Sequence, residues 1–188
     1  MALMSWTETE QSQLLALARQ SIVHGLETGR PLPVNLDDYP AALRQIRATF
    51  VTLERGGRLR GCIGMLEAVR PLAQDVAENA FAAAFRDPRF PPLSNGELAG
   101  LDLHISVLNP ATVMSFDSEA ALIAQLRPGV DGVILQEGGR RGTFLPAVWD
   151  DLPDPKQFLQ HLKQKAGLPT NYWSETIKAY RYTTEMFG

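Results

Sequence analysis

The chain has 188 residues, 45% of them hydrophobic and 21% charged, with a formal net charge of −3. That composition argues against a largely disordered protein and leaves enough apolar material for a real core. The acidic balance gives no support to a duplex nucleic-acid binder, which ordinarily carries a basic excess, and a single cysteine excludes an internal disulfide.

No apolar run approaches the ~20 residues that span a bilayer. The first ten residues lack the basic flank and apolar stretch of a secretory signal. Together with the lone cysteine, this leads us to expect a cytoplasmic protein with no membrane association.

Thr7 and Glu10 form a capping-box pair ahead of an apolar run. Leu14, Ala18, Ile22 and Leu26 then recur at helical spacing, and Gly29 and Pro31 end the helix. Residues 31–40, with their prolines, read as a loop, and 41–47 as a short helical turn. Residues 48–55 are rich in Thr, Phe and Val. With Gly56-Gly57 and residues 58–66 they predict a β-hairpin.

Pro71 opens a helix that runs to Arg86 with Leu72, Val76, Ala80, Ala83 and Ala84 on one face. The small alanines predict close packing on a sheet, and Asp75, Glu78 and Asn79 are further polar candidates whose simpler reading is a solvated face. Residues 86–92 form a proline-punctuated polar loop that could frame a pocket mouth. Ser94 and Glu97 cap a short helix. Residues 101–108 alternate as a strand with Leu101, Leu103, Ile105 and Val107 on one side. A short helix at 117–126 precedes a second hairpin, with strands at 132–136 and 143–148 around residues 137–142. A helix at 155–166 turns Phe158, Leu159 and Leu162 inward, and 177–187 reads as one last strand.

Hairpins favour antiparallel pairing, so an α+β fold is expected: an antiparallel sheet flanked by helices, with a smaller α/β lobe. The whole chain reads as one domain, with a smaller subdomain at about residues 113–170 marked by breakers and a composition shift.

The segment Leu59-Arg60-Gly61-Cys62-Ile63-Gly64 carries the densest chemical signal. Glycine inside a strand weakens it and needs a reason, such as a bulge or a close ligand approach. Regular alternation would put Arg60 beside Cys62, where a cation favours the thiolate, with the glycines clearing the opposite surface. The bland alternative is that Cys62 packs as a small hydrophobe. Gly61 and Gly64 are candidate ligand contacts.

In Gly138-Gly139-Arg140-Arg141-Gly142-Thr143, backbone amides and the two arginines could grip an anion. A solvated hairpin tip is the simpler reading of Arg140 and Arg141. His24, His104 and His161 lack metal-ligand spacing, so neither a dedicated metal site nor a cofactor is expected. His104 is a candidate base for Cys62 if their strands are neighbours, with Asp102 or Glu67 as a third group. The aromatic segments 144–149 and 172–173 read as core.

Taken together, these residues resemble the AMMECR domain family, also called AmmeMemoRadiSam system protein A. The Leu59–Gly64 hexapeptide matches its signature. Further matches follow in order: Asp87-Pro88-Arg89-Phe90, Ile105-Ser106-Val107-Leu108, Gly132-Val133-Ile134-Leu135, Gly142-Thr143-Phe144-Leu145-Pro146, Val148-Trp149, Ala166-Gly167-Leu168 and Tyr172-Trp173. The resemblance covers roughly residues 10–187. It implies an α+β domain with a larger antiparallel sheet and a smaller lobe, a functional centre at the hexapeptide, and association with a Memo-like protein and a radical-SAM protein. It implies no settled activity. Many members carry an acidic residue where this chain has His104, so a role for a carboxylate there is not carried over.

Two functions follow as expectations. One is a cysteine-dependent enzyme or enzyme component, with Cys62 tuned by Arg60 and substrate held near Arg140 or Arg141. The other is a non-catalytic module that presents the hairpin as a docking surface. Nucleic-acid association through local arginines is disfavoured by the net charge.

Overall fold

The computed structural model describes residues 5–188. The chain divides into two compact units. One runs through Leu108 and takes back Glu185–Gly188, and the other is Asn109–Thr184.

In the first unit, α1 (Glu8–Thr28) starts on the expected Thr7/Glu10 capping box and ends at Gly29 in the left-handed conformation. Leu14, Leu17, Ala18, Ser21, Ile22 and Gly25 form its buried stripe. Leu26 is only half-buried. Gly25 takes its place because Phe81 and Phe85 lie directly against it: a Cβ there would be 2.4 Å from Phe85. Strands β1 (Thr49–Arg55) and β2 (Arg58–Gly64) form the expected hairpin. Gly56 and Gly57 turn it with φ of 58° and 76°, the positive values that a two-residue turn of type I′ requires.

Helix α2 (Leu72–Phe85) follows Pro71. It and α1 bury Val51, Leu53, Leu103, Ile105 and Val107 in one core. Strand β3 (Leu101–Leu108) keeps the expected alternation. Asp75 and Asn79, read from sequence as solvated, are instead buried at 1% and 3% exposure. Thr49 Oγ1 donates to Asp75 Oδ2 at 2.6 Å, Asn79 Nδ2 donates to the Thr49 carbonyl, and Arg70 Nε donates to Asp75 Oδ1. This network ties α2 to the start of β1.

The second unit holds β4 (Thr112–Val113), α3 (Glu119–Gln125), β5 (Gly132–Glu137), β6 (Arg140–Phe144), α4 (Pro155–Lys165) and β7 (Lys178–Tyr182). Its sheet runs β4-β7-β5-β6 with antiparallel neighbours. The core stacks Trp149 on Phe158 with ring centroids 3.7 Å apart. The second hairpin is tighter than its sequence suggests: only Gly138 and Gly139 turn, and Arg140 and Arg141 are already strand. Residues Pro146–Asp150 form a 3-10 turn rather than strand, since proline has no N–H to give a ladder.

The expected last strand splits at Thr183. β7 stays in the second sheet, and β8 (Thr184–Phe187) joins the first, whose order is β2-β1-β3-β8. Asn109 N–H donates to the Thr183 carbonyl at 2.8 Å, so the second unit's two ends meet. Both sheets are antiparallel where paired and are packed by helices, which makes the fold α+β, as expected.

Candidate functional site

The hexapeptide fills β2, the edge strand of the first sheet. Leu53 faces Gly61 and Glu54 faces Leu59, which leaves Arg60 as an extra residue without a partner on β1. Such an extra residue bends a strand and resets the direction of its side chains. The regular alternation that would set Arg60 beside Cys62 is therefore broken. Arg60 Nε donates to Glu97 Oε2 at 2.8 Å and Nη2 to the Pro91 carbonyl at 2.7 Å. Arg60 is 8% exposed. Its hydrogen bond is the main cause that holds the Glu97 carboxyl down to about 2, against the opposing effect of burial.

The two glycines have different surroundings. Gly61 faces α2, and a Cβ there would sit 2.1 Å from the carbonyl oxygen of Ala83. Gly64 pairs with Phe50 while Cys62 pairs with Thr52, so Gly64 shares the face of Cys62 rather than the opposite one. A Cβ on Gly64 would meet the Thr49 carbonyl at 2.3 Å and the Phe50 ring at 2.4 Å. Protein atoms already fill the space beside both glycines, so neither clears a path for a ligand.

Cys62 is half-buried. Its Sγ lies 3.3 Å from Thr52 Oγ1, directly across the hairpin. Its main chain faces the free edge of the sheet. The Cys62 N–H donates to Asp87 Oδ2 at 3.0 Å, and its carbonyl accepts from Arg89 Nη2 at 3.4 Å. Arg89 also grips Asp87 through Nε at 3.0 Å and Nη2 at 2.7 Å. This grip is the main cause that holds the Asp87 carboxyl far below the usual carboxylate range, with the Cys62 and Arg89 amides adding to it and burial opposing. The same bond pushes Arg89 up. An edge strand offers unpaired amides and carbonyls. Here the Asp87–Arg89 pair covers them at Cys62.

His104 pairs with Thr52 on β3's side, so Cys62, Thr52 and His104 form one row across three strands, on the face turned away from the helices. Two cross-strand steps amount to about 10 Å. The pair therefore shares a face without contact. His104 Nε2 lies 3.8 Å from Glu54 Oε2.

Arg140 and Arg141 belong to the second unit. Arg140 Nη1 donates to the Gly167 carbonyl just past α4, tying the hairpin to a helix end, and Arg141 is exposed. Among the described residues no group of three or more His, Cys, Asp or Glu side chains is placed to hold a metal ion. Among the same residues no helix is long and apolar enough to cross a membrane.

Sequence reasoning missed Thr52, Asp87, Arg89 and Glu97 as neighbours of the hexapeptide. The available signal was the alternating charge of Asp87-Pro88-Arg89, since a carboxylate and a guanidinium two residues apart in a turn can close on each other. Chemically, the site offers a thiol within hydrogen-bond reach of a neutral hydroxyl, on a main chain clamped by an ion pair.

A protein-family model described as AMMECR1 matches residues 15–187. A protein of Methanothermobacter thermautotrophicus is 39% identical over 180 residues, covering 95% of this chain and 93% of its own length. Protein MK0488 of Methanopyrus kandleri is 35% identical over 192 residues, covering 96% of this chain and 89% of that protein. The crystal structure of the uncharacterized protein PH0010 from Pyrococcus horikoshii matches with a TM-score of 0.86 at 34% identity, over 93% of this chain and 88% of that one.

Proposed function

The chain belongs to the AMMECR1 family, and from that premise we propose that it works as a binding component, presenting the β1–β2 hairpin as a docking surface for a Memo-like protein and a radical-SAM protein. One observation carries this reading: the hexapeptide is spent on its own architecture. Arg60 is paired to Glu97, Gly61 lies under α2, Gly64 lies under Phe50, and the Cys62 main chain is held by Asp87 and Arg89. What remains outward is Leu59, 43% exposed, and one face of a strand pair. Met65 and Val69 add exposed apolar surface in the segment that follows β2, at 37% and 59% exposure. Exposed apolar groups beside an ordered strand suit contact with another protein.

The test is binding of the purified chain to a purified Memo-like protein and a purified radical-SAM protein from one source, by sedimentation. Leu59→Asp should abolish the complex while Cys62→Ser leaves it intact. A complex unaffected by Leu59→Asp, or no complex with the unaltered chain, rejects the reading.

A second reading, a cysteine-dependent enzyme or enzyme component, is favoured by a specific feature. Cys62 is half-buried rather than sealed in the core, with a hydroxyl partner and His104 in the same row. Its test is the pH dependence of Cys62 alkylation in native and urea-unfolded chain. A native thiol that reacts faster, with a midpoint well below the usual ~8.5, supports it. A thiol that reacts only on unfolding removes it.

A further inference from the structure

β2 is an outer strand of its sheet, so every second residue turns its main chain toward the free edge. Cys62 is one of these residues, since its N–H reaches Asp87 and its carbonyl reaches Arg89. Gly64 is the next. It pairs with Phe50 as Cys62 pairs with Thr52. Met65, one residue on, turns inward again and gives its N–H to the Thr49 carbonyl at 3.2 Å.

The two outward positions differ in what covers them. At Cys62, the Asp87 and Arg89 side chains stand where the main chain of another strand would stand. At Gly64, among the described residues, nothing from a loop or side chain bonds to the outward N–H or carbonyl. The Cβ direction of Gly64, filled by Phe50, stands off the sheet, whereas the edge lies within its plane. Toward the turn, the extra residue at Arg60 breaks the regular spacing. The open stretch therefore starts at the Cys62 carbonyl and passes Gly64 to Met65. The Arg89 bond to that carbonyl is 3.4 Å long, outside the usual range of roughly 2.7–3.2 Å. Arg89 keeps its two bonds to Asp87 if it lets go.

Resting on the docking reading above, we propose that the partner adds an extended strand to β2 at Gly64. Its main-chain carbonyl accepts from the Gly64 N–H, and its main-chain N–H groups donate to the Gly64 and Cys62 carbonyls. The chemistry of the edge selects this occupant. A phosphate or carboxylate only accepts, and would leave the Gly64 carbonyl unmet. An extended polypeptide offers donors and acceptors together at strand spacing, and main-chain bonds then supply the affinity. Met65, 37% exposed, gives the incoming strand an apolar neighbour at the same point.

The test is amide hydrogen exchange, read at single residues, on the full chain alone and saturated with the purified Memo-like or radical-SAM protein that binds it. The Gly64 amide should exchange fast in the free chain and slow by at least about ten-fold in the complex. The Cys62 amide, already bonded to Asp87, should be slow in both. Met65→Lys places a charge of the kind that guards strand edges, and should weaken the complex about ten-fold. Met186→Lys, on the strand at the opposite edge of the sheet, should leave it unchanged. Circular dichroism confirms that both variants are folded.

Three results overturn the proposal: a Gly64 amide that stays fast in the saturated complex, one that is already slow in the dilute free chain, or equal loss of binding in Met65→Lys and Met186→Lys. Slowing that appears on concentrating the chain alone assigns the edge to a second copy and overturns it too. If a complex forms and is lost in Leu59→Asp while Gly64 stays fast, docking stands and strand addition falls. If neither protein binds the unaltered chain, the docking reading falls and takes this assignment with it.

Discussion

Replacing Gly61 by alanine adds a Cβ 2.1 Å from the carbonyl oxygen of Ala83. The obstacle is main chain, so no rotamer change relieves it. To reach even 3.0 Å, β2 and α2 must part by about 0.9 Å, in an interior packed as densely as a crystal. α2 has no slack to give. Phe81 and Phe85 press on Gly25 of α1, and Asp75 and Asn79 are bonded to Thr49. Overpacking of this kind costs roughly 1–3 kcal/mol, and a backbone obstacle belongs at the upper end, about 3 kcal/mol. For a chain of this size that lowers Tm by roughly 6–12 °C. The assay is urea unfolding followed by far-UV circular dichroism, with Gly96→Ala as the reference. A Cβ on Gly96 meets nothing within 4 Å, so that variant should stay within about 0.5 kcal/mol of the unaltered chain. Coincident midpoints for the two variants would refute the claim that Gly61 is there for helix packing.

Arg60→Met should destabilise by about 2 kcal/mol in the same urea assay. The value lies below the full cost of splitting a buried pair because the Glu97 side chain keeps 23% of its surface in water; a neutral result would mean that the pair is not formed in solution. Glu97 in the folded chain ionises at about 2 instead of 4.5. Its stabilisation is thus fully present above about pH 4.5 and lost as pH falls toward 2, and Asp87, also depressed, adds to the loss at the acid end. Tm of the unaltered chain should fall on acidification, and the fall should be shallower in Glu97→Gln; parallel curves would contradict this. Asp87→Ala leaves the Cys62 amide without its acceptor. It should cost about 2 kcal/mol and speed Cys62 alkylation, and unchanged alkylation would argue against the clamp. Tyr182 is pushed up to about 12 by burial, its bond to Thr143 opposing. Tyr182→Phe should remove the last step of a tyrosinate absorbance titration and cost about 1 kcal/mol; a titration unchanged at that step would assign it to another tyrosine.

Local signals were readable where a residue acts on its own neighbours. The Thr7/Glu10 box, the Gly56-Gly57 turn and the 101–108 alternation each depend on contacts within a few positions, and each appears where its pattern put it. Two failures come from main-chain events that composition does not encode. The extra residue at Arg60 cancels a parity argument that holds only for a regular strand, and the break at Thr183 sends one apolar-alternating run into two sheets. The site partners of Cys62 lie beyond local reach: Thr52 arrives through the hairpin register, and Asp87 and Arg89 from a loop across α2. Asp75 and Asn79 look like surface because their charge and amide are matched by Thr49 and Arg70, which only the folded chain brings to them.

The late return of β8 has a bearing on synthesis. During translation, β1, β2 and β3 leave the ribosome before any of the second unit, but the strand that completes their sheet begins only at that unit's last residue. Until then β3 carries an open edge, the kind that nascent chains pair wrongly. The Asn109–Thr183 bond brings the inserted unit's ends together, so closing that unit delivers β8 to the waiting edge. Slowing elongation between codons 109 and 184 should therefore lengthen the exposure of that edge.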